Sequence, residues 1–208
     1  MTNIDLFGNE IEESKVTSTM RRIVTRQAGI EGRDLYTTEP EDIERFLIAA
    51  KKENLEILNP IWEPAAGMGD ISKTLIQYGH KVYSTDLYAY KDEEIEILQQ
   101  DFLSCNRQNE IEYKTIFTNP PFNAQEEFLL HALSFGIDVI FFVRLSFLSS
   151  IRRYKIYEKY KPSFIYIYSS RARCYKDGNV YSSQSMIDYC IMIWKSPYET
   201  ETITRWIE

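Results

Sequence analysis

Apolar residues along this chain fall into two alternating kinds of run. Short, nearly continuous apolar stretches of strand length recur at Ile57–Trp62, Lys81–Thr85, Tyr113–Phe117, Asp138–Val143, Phe164–Tyr168 and Met186–Trp194. Between them, apolar positions repeat at helical spacing. The first such stretch follows Pro40, where Ile43, Phe46, Leu47 and Ala50 share a face and acids fill the first turn. Further helices are predicted at Ser72–Tyr78, at Glu93–Leu98 (leading into one more strand), at Gln125–Phe135 and at Ser150–Tyr160. Strands joined in this way by helices and short turns imply right-handed crossovers. The expected fold is α/β, a doubly wound, mostly parallel seven-stranded sheet with an antiparallel last strand. Residues 1–35 are polar and weakly periodic and read as an N-terminal arm. Residues 36–208 read as a single domain.

In such sheets ligands sit at the carboxyl ends of the strands, so the residues there carry the chemistry. The first long strand runs into Glu63-Pro64-Ala65, with Gly67 and Gly69 leading into a helix. Glycines at that turn let backbone approach a ligand and aim N–H groups at it. The next strand ends in Asp86-Leu87, where a carboxylate suits the two hydroxyls of a ribose. The following strand region ends in Asp101-Phe102, an acid able to accept from an exocyclic amine beside an aromatic able to cover a ring. Each acid taken singly is as easily a helix cap or turn residue. Three in succession at strand ends are less readily explained that way.

The fourth strand ends in Asn119-Pro120-Pro121-Phe122. Two prolines stop a strand and make a rigid turn. A turn alone leaves the flanking amide and aromatic unexplained. Methylating an amine conjugated to an aromatic ring requires its lone pair to leave conjugation. The Asn119 side-chain oxygen and the Pro120 carbonyl would accept its two N–H groups, the prolines would fix that carbonyl, and Phe122 would stack on the base.

Taken in order, Glu-Pro-x-x-Gly-x-Gly, an acid after the second strand, Asp-Phe and Asn-Pro-Pro-Phe resemble the class I S-adenosylmethionine-dependent methyltransferases. In particular the set resembles the small, phage-type DNA adenine-N6 enzymes, over roughly Tyr36 to Trp194. That resemblance implies a Rossmann-like fold and S-adenosyl-L-methionine as cofactor. By the same likeness Gly67 and Gly69 line the methionine part, Asp86 meets the ribose, and Asp101 and Phe102 meet the adenine. Tyr36, Thr38 and Pro40 are similar to the upstream cofactor motif. Asn119 to Phe122 would hold the target amine and base. Glu63 stands where many members have Asp, and Tyr175 is assigned as a second base-stacking residue.

Charge refines the picture. The net charge of −7 splits into +8 over Arg144–Lys176, +4 over Lys15–Arg33 and −19 elsewhere. Segregation on this scale gives a polyanion a face to dock on despite the negative total, although solvated helix faces would produce the same pattern. Arg144, Arg152, Arg153, Lys155, Arg171 and Arg173 are the expected phosphate contacts, interleaved with Tyr154, Tyr157 and Tyr160. At least one of those tyrosines is expected to pack on the sheet instead. DNA is the expected partner, reached by base flipping or single-strand capture, with RNA as the alternative. Methylation of a protein glutamine amide and a non-catalytic scaffold are the other readings. No apolar run nears the roughly 20 residues a membrane span needs. The acidic N-terminus is unlike a secretory signal, and three widely spaced cysteines fit the cytoplasm. Two histidines and no Cys-x-x-Cys argue against a metal site.

Overall fold

In the computed structural model, residues 36–88, 90, 92–105, 112–170, 172, 174–176, 187–198 and 201–208 are described. The N-terminal arm expected for residues 1–35 lies outside them, as do Arg171 and Arg173.

The strands are β1 (Tyr36–Thr38), β2 (Ile61–Glu63), β3 (Val82–Asp86), β4 (Ile97–Gln99), β5 (Thr115–Thr118), β6 (Asp138–Arg144), β7 (Phe164–Tyr168), β8 (Cys174–Lys176), β9 (Tyr189–Trp194) and β10 (Ile203–Ile207). The helices are α1 (Pro40–Lys52), α2 (Asp70–Gln77), α3 (Gln125–Ser134) and α4 (Ile151–Lys159). Among the described residues the main sheet has eight strands, ordered β10-β7-β9-β6-β5-β2-β3-β4. All its pairings are parallel except those of β9 with β6 and with β7.

The centre of the sheet is apolar on both faces because both are covered. On β6, Ile140 and Phe142 join a core with Ile43, Phe46 and Leu47 of α1 and Ile71 and Leu75 of α2. Val139, Phe141 and Val143, the alternate positions, join Phe128, Leu129, Ala132 and Leu133 of α3 on the other side. Helix α4 buries none of its residues fully, although Ile156 and Tyr157 pack against that second core.

Three expectations are corrected. The stretch Glu93–Leu98 is no helix. The Asp92 carboxylate accepts from the N–H groups of Glu94 and Ile95, at 2.9 and 3.1 Å, and so diverts them into a turn. Ile95 and Ile97 then approach the same glycine at the period of a strand, and β4 pairs with β3. The strand expected at Ile57–Trp62 is confined to Ile61–Glu63, since Pro60 has no N–H for the ladder. Finally, β9 is not the last strand: β10 adds to β7 in parallel and makes the count eight rather than seven. It was hard to see because of its five residues only Ile207 is buried, and Trp206 is 64% exposed.

Candidate functional site

A cleft of about 380 Å³ opens at the carboxyl ends of β2, β3 and β5, where the chain turns from strand into helix. Its walls include Pro64, Ala65, Gly67, Asp86, Leu87, Asp101, Phe102, Asn119, Pro120 and Pro121. Residues expected from four separate stretches of sequence therefore surround one space.

The glycine turn is shaped from two sides. Gly67 has φ of 54° and its N–H donates to Asp86 Oδ2 at 2.8 Å. Asp86 Oδ1 accepts from the Tyr88 N–H at 2.9 Å, so one carboxylate ties the loop after β2 to the loop after β3. Gly69 (φ 74°) initiates α2, and a Cβ there would lie 2.6 Å from Ile95 Cδ1. Its missing side chain makes room for the protein's own Ile95 rather than for a ligand.

Glu63 lies behind the cleft, not on its wall. It is 1% exposed, and its Oε2 accepts from the Ser72 hydroxyl, which also meets Ser84 Oγ at 2.6 Å. Burial drives its carboxyl well above the usual range; the Ser72 bond opposes this without prevailing, and the charges of Asp70 and Asp86 reinforce it. A shielded carboxyl at this point is part of the support under the glycine turn.

Asp101 lines the cleft while capping the short 3-10 turn Phe102–Ser104, accepting from the Leu103 N–H at 3.0 Å and the Ser104 hydroxyl at 2.7 Å. Phe102 is 2% exposed and is embedded among Trp62, Phe128 and Phe135, with ring centroids 5.1, 4.9 and 6.1 Å away. It presents little more than an edge. The aromatic surface missed in the sequence belongs to Tyr88 and Tyr90, whose rings meet edge-on at 6.4 Å on the cleft wall. Their alternation directly after Asp86 was the available signal.

Asn119 reaches the cleft at the end of β5, and its Nδ2 donates to Thr38 Oγ1 at 3.1 Å. Thr38 belongs to β1, which pairs antiparallel with β8 and sets Thr37 opposite Tyr175. The upstream motif thus stands beside the Asn-Pro-Pro turn, and the backbone of Tyr175 is brought to the same corner. Pro40 occupies the first turn of α1, where its missing N–H is harmless. Phe122 does not line the cleft; it packs partly into the core, and the Arg144 guanidinium lies 4.1 Å from its ring centroid.

The basic segment divides. Arg152 and Lys155 are exposed on α4, beside Ile151 and Tyr154, which are 88% and 61% exposed. Arg153 is a fastener: it donates to the carbonyls of Phe147, Ser146 and Ser149 and pairs with Glu126 Oε1 at 3.0 Å. It is therefore engaged by the protein instead of open to phosphate. Tyr157 likewise donates to the Phe147 carbonyl at 2.8 Å, and Tyr160 packs edge-on to Tyr198. Of the three interleaved tyrosines, Tyr154 alone stands out from the surface. Among the described residues no helix is long and apolar enough to cross a membrane.

No protein-family model and no curated protein matches the sequence. Solved structures match the fold. A Listeria monocytogenes protein described as a class I S-adenosylmethionine-dependent methyltransferase superposes with TM-score 0.54 at 14% identity, over 91% of this chain and 72% of that one. The chain has the class I methyltransferase fold. The type IIG restriction endonuclease BpuSI gives TM-score 0.58 at 14% identity over 89% of this chain, which spans 28% of BpuSI. A Pyrococcus horikoshii protein described as an RNA methyltransferase gives 0.51 at 14% identity, over 86% of this chain and 96% of that one. At these identities the likeness is one of fold.

Proposed function

We propose that this chain transfers a methyl group from S-adenosyl-L-methionine to the exocyclic N6 of adenine in DNA. The observation that carries the proposal is the shared cleft: the Asn119-Pro120-Pro121 turn and the Gly67–Asp86 loop pair face the same space. The residues fit the cofactor. Asp86 offers a fixed carboxylate for ribose hydroxyls, Gly67 a side-chain-free turn, and Asp101 with Tyr88 and Tyr90 a polar and aromatic rim. When bound, the cofactor supplies the electrophilic methyl group.

The chain's own residues do the rest. Asn119 is oriented because Thr38 receives its N–H, which leaves Oδ1 as the acceptor for the target amine. Pro120 supplies a second acceptor through its carbonyl, held by a backbone that two prolines restrict. Together they favour a pyramidal amine nitrogen, which resembles the transition state more than the planar ground state. Lys155 and the exposed end of Arg152, whose Nε pairs with Glu126 Oε2 at 3.3 Å, are available for phosphate contacts.

Incubating the protein with labelled cofactor and unmethylated DNA, single- and double-stranded, followed by methylation-sensitive sequencing, tests substrate and base together. Absence of transfer to either form would overturn the proposal. RNA adenine is the second reading, supported by the fold likeness to the Pyrococcus protein described as an RNA methyltransferase. Ribonuclease and deoxyribonuclease treatment of a mixed substrate separates the two.

A further inference from the structure

The contact between Arg144 and Phe122 has no place in that mechanism. Arg144 is the last residue of β6, and Phe122 directly follows the Asn-Pro-Pro turn. At 4.1 Å from the ring centroid the guanidinium carbon lies over the ring, well within the range of a cation–π contact. Phe122 also packs partly against the core, and the arginine occupies ring surface in the turn that follows Asn119. The arrangement is not self-sufficient. Arg144 Nε is buried without a hydrogen-bond partner, and no carboxylate pairs with the guanidinium among the described residues. A buried unsatisfied donor is unfavourable, so this pose is one that a ligand can displace.

We propose that Arg144 holds the place of the target base on Phe122, and that an entering adenine takes the ring while the guanidinium transfers to a phosphate of the bound strand. This rests on the nucleic-acid methyltransferase reading and adds a coupling to it. The guanidinium suits both positions, being planar enough to mimic a stacked base and shaped to bind phosphate through paired donors. Base capture and one additional phosphate contact then become a single event.

The coupling is measurable without turnover. Two fluorescein-labelled thymidine oligonucleotides are compared by anisotropy over a range of salt, one with a central adenine and one with an abasic residue there. Single strands carry no unpairing cost. In the wild-type protein the adenine probe engages one phosphate more than the abasic probe, so its log–log salt dependence is steeper by about 0.7. In Arg144→Ala that difference disappears, and Arg144→Gln, which keeps a planar amide but no charge, gives the same result should the alanine variant misfold. Equal slopes for the two probes in the wild type, or a difference that persists in both variants, would overturn the place-holder role. Failure of both probes to bind would instead overturn the nucleic-acid reading, and the inference with it.

Discussion

Asp86→Asn isolates the joint between the two cofactor-side loops. In the native chain both carboxylate oxygens accept a backbone N–H, from Gly67 at 2.8 Å and from Tyr88 at 2.9 Å. An asparagine of the same shape can accept one of them, and its NH2 then confronts the other donor. Loss of one charge-assisted hydrogen bond is worth about 1.5–3 kcal/mol. If the loss falls on the ordered loop that receives the cofactor, affinity drops by about 10- to 150-fold, at 1.4 kcal/mol per factor of ten. A direct contact between Asp86 and a ribose hydroxyl would add to that figure, so one order of magnitude is the floor. Titration calorimetry with S-adenosylhomocysteine reads the change, and a thermal melt shows how much of it is shared with folding. The variant also removes a negative charge that helps raise the Glu63 carboxyl, which partly offsets the destabilisation. Affinity within twofold of wild type, with an unchanged melt, would refute the idea that this carboxylate joins the loops.

Asn119→Ala should reduce methyl transfer by about two to three orders of magnitude, the loss found when one preorganised hydrogen-bonding group is removed from a transition state, with cofactor affinity little changed. Thr38→Val removes the acceptor that orients Asn119; a neutral hydrogen bond of about 0.5–1.5 kcal/mol corresponds to a two- to thirteenfold fall in kcat, and an unchanged kcat would dismiss the orienting role. Glu63→Gln tests the buried carboxyl. Its folded pKa is raised, so its contribution to stability is complete below the ordinary glutamate range and is lost as pH rises through the folded value. Melting temperatures of wild type and variant should therefore converge in acid and separate in the variant's favour toward alkaline pH; a deficit of the variant that grows toward alkaline pH would argue that the carboxylate form is needed. Gly69→Ala should destabilise by about 1–2 kcal/mol from its left-handed backbone alone, lowering Tm by roughly 2–8 °C, and Ile95→Ala in the same chain should restore only the part due to the close contact.

The parallel strands and the covered faces were legible because buried strands write themselves as apolar runs, as Asp138–Val143 does. Asn119-Pro120-Pro121 and Asp86 were legible because strand ends in this architecture converge. What escaped detection was governed by contacts between distant segments. Ile97 opens a strand because Asp92 takes the helix donors of Glu94 and Ile95 and Gly69 makes room, neither of which a local periodicity encodes. Glu63 and Gly69 match the motif, yet one is buried behind the cleft and the other packs against an isoleucine. Arg153 reads as a basic residue among others; only the carbonyls clustered at the end of β6 reveal it as a fastener. A composition of charge cannot distinguish a solvated cation from one whose three guanidinium nitrogens are all engaged by the protein.

The ribbon formed by β1 and β8 has a consequence for the order in which the site comes into being. It pairs Thr38 with Cys174, near opposite ends of the described chain, while the sheet strands around Asn119 pair with closer neighbours. Closing so long a loop carries more chain entropy than joining β5 to β6, and contacts of great sequence separation tend to form late. The cleft walls can therefore assemble before the threonine that aligns the amide arrives. A partly folded chain would hold cofactor-side structure yet lack an aimed acceptor, so catalytic competence becomes a report on the last step of folding.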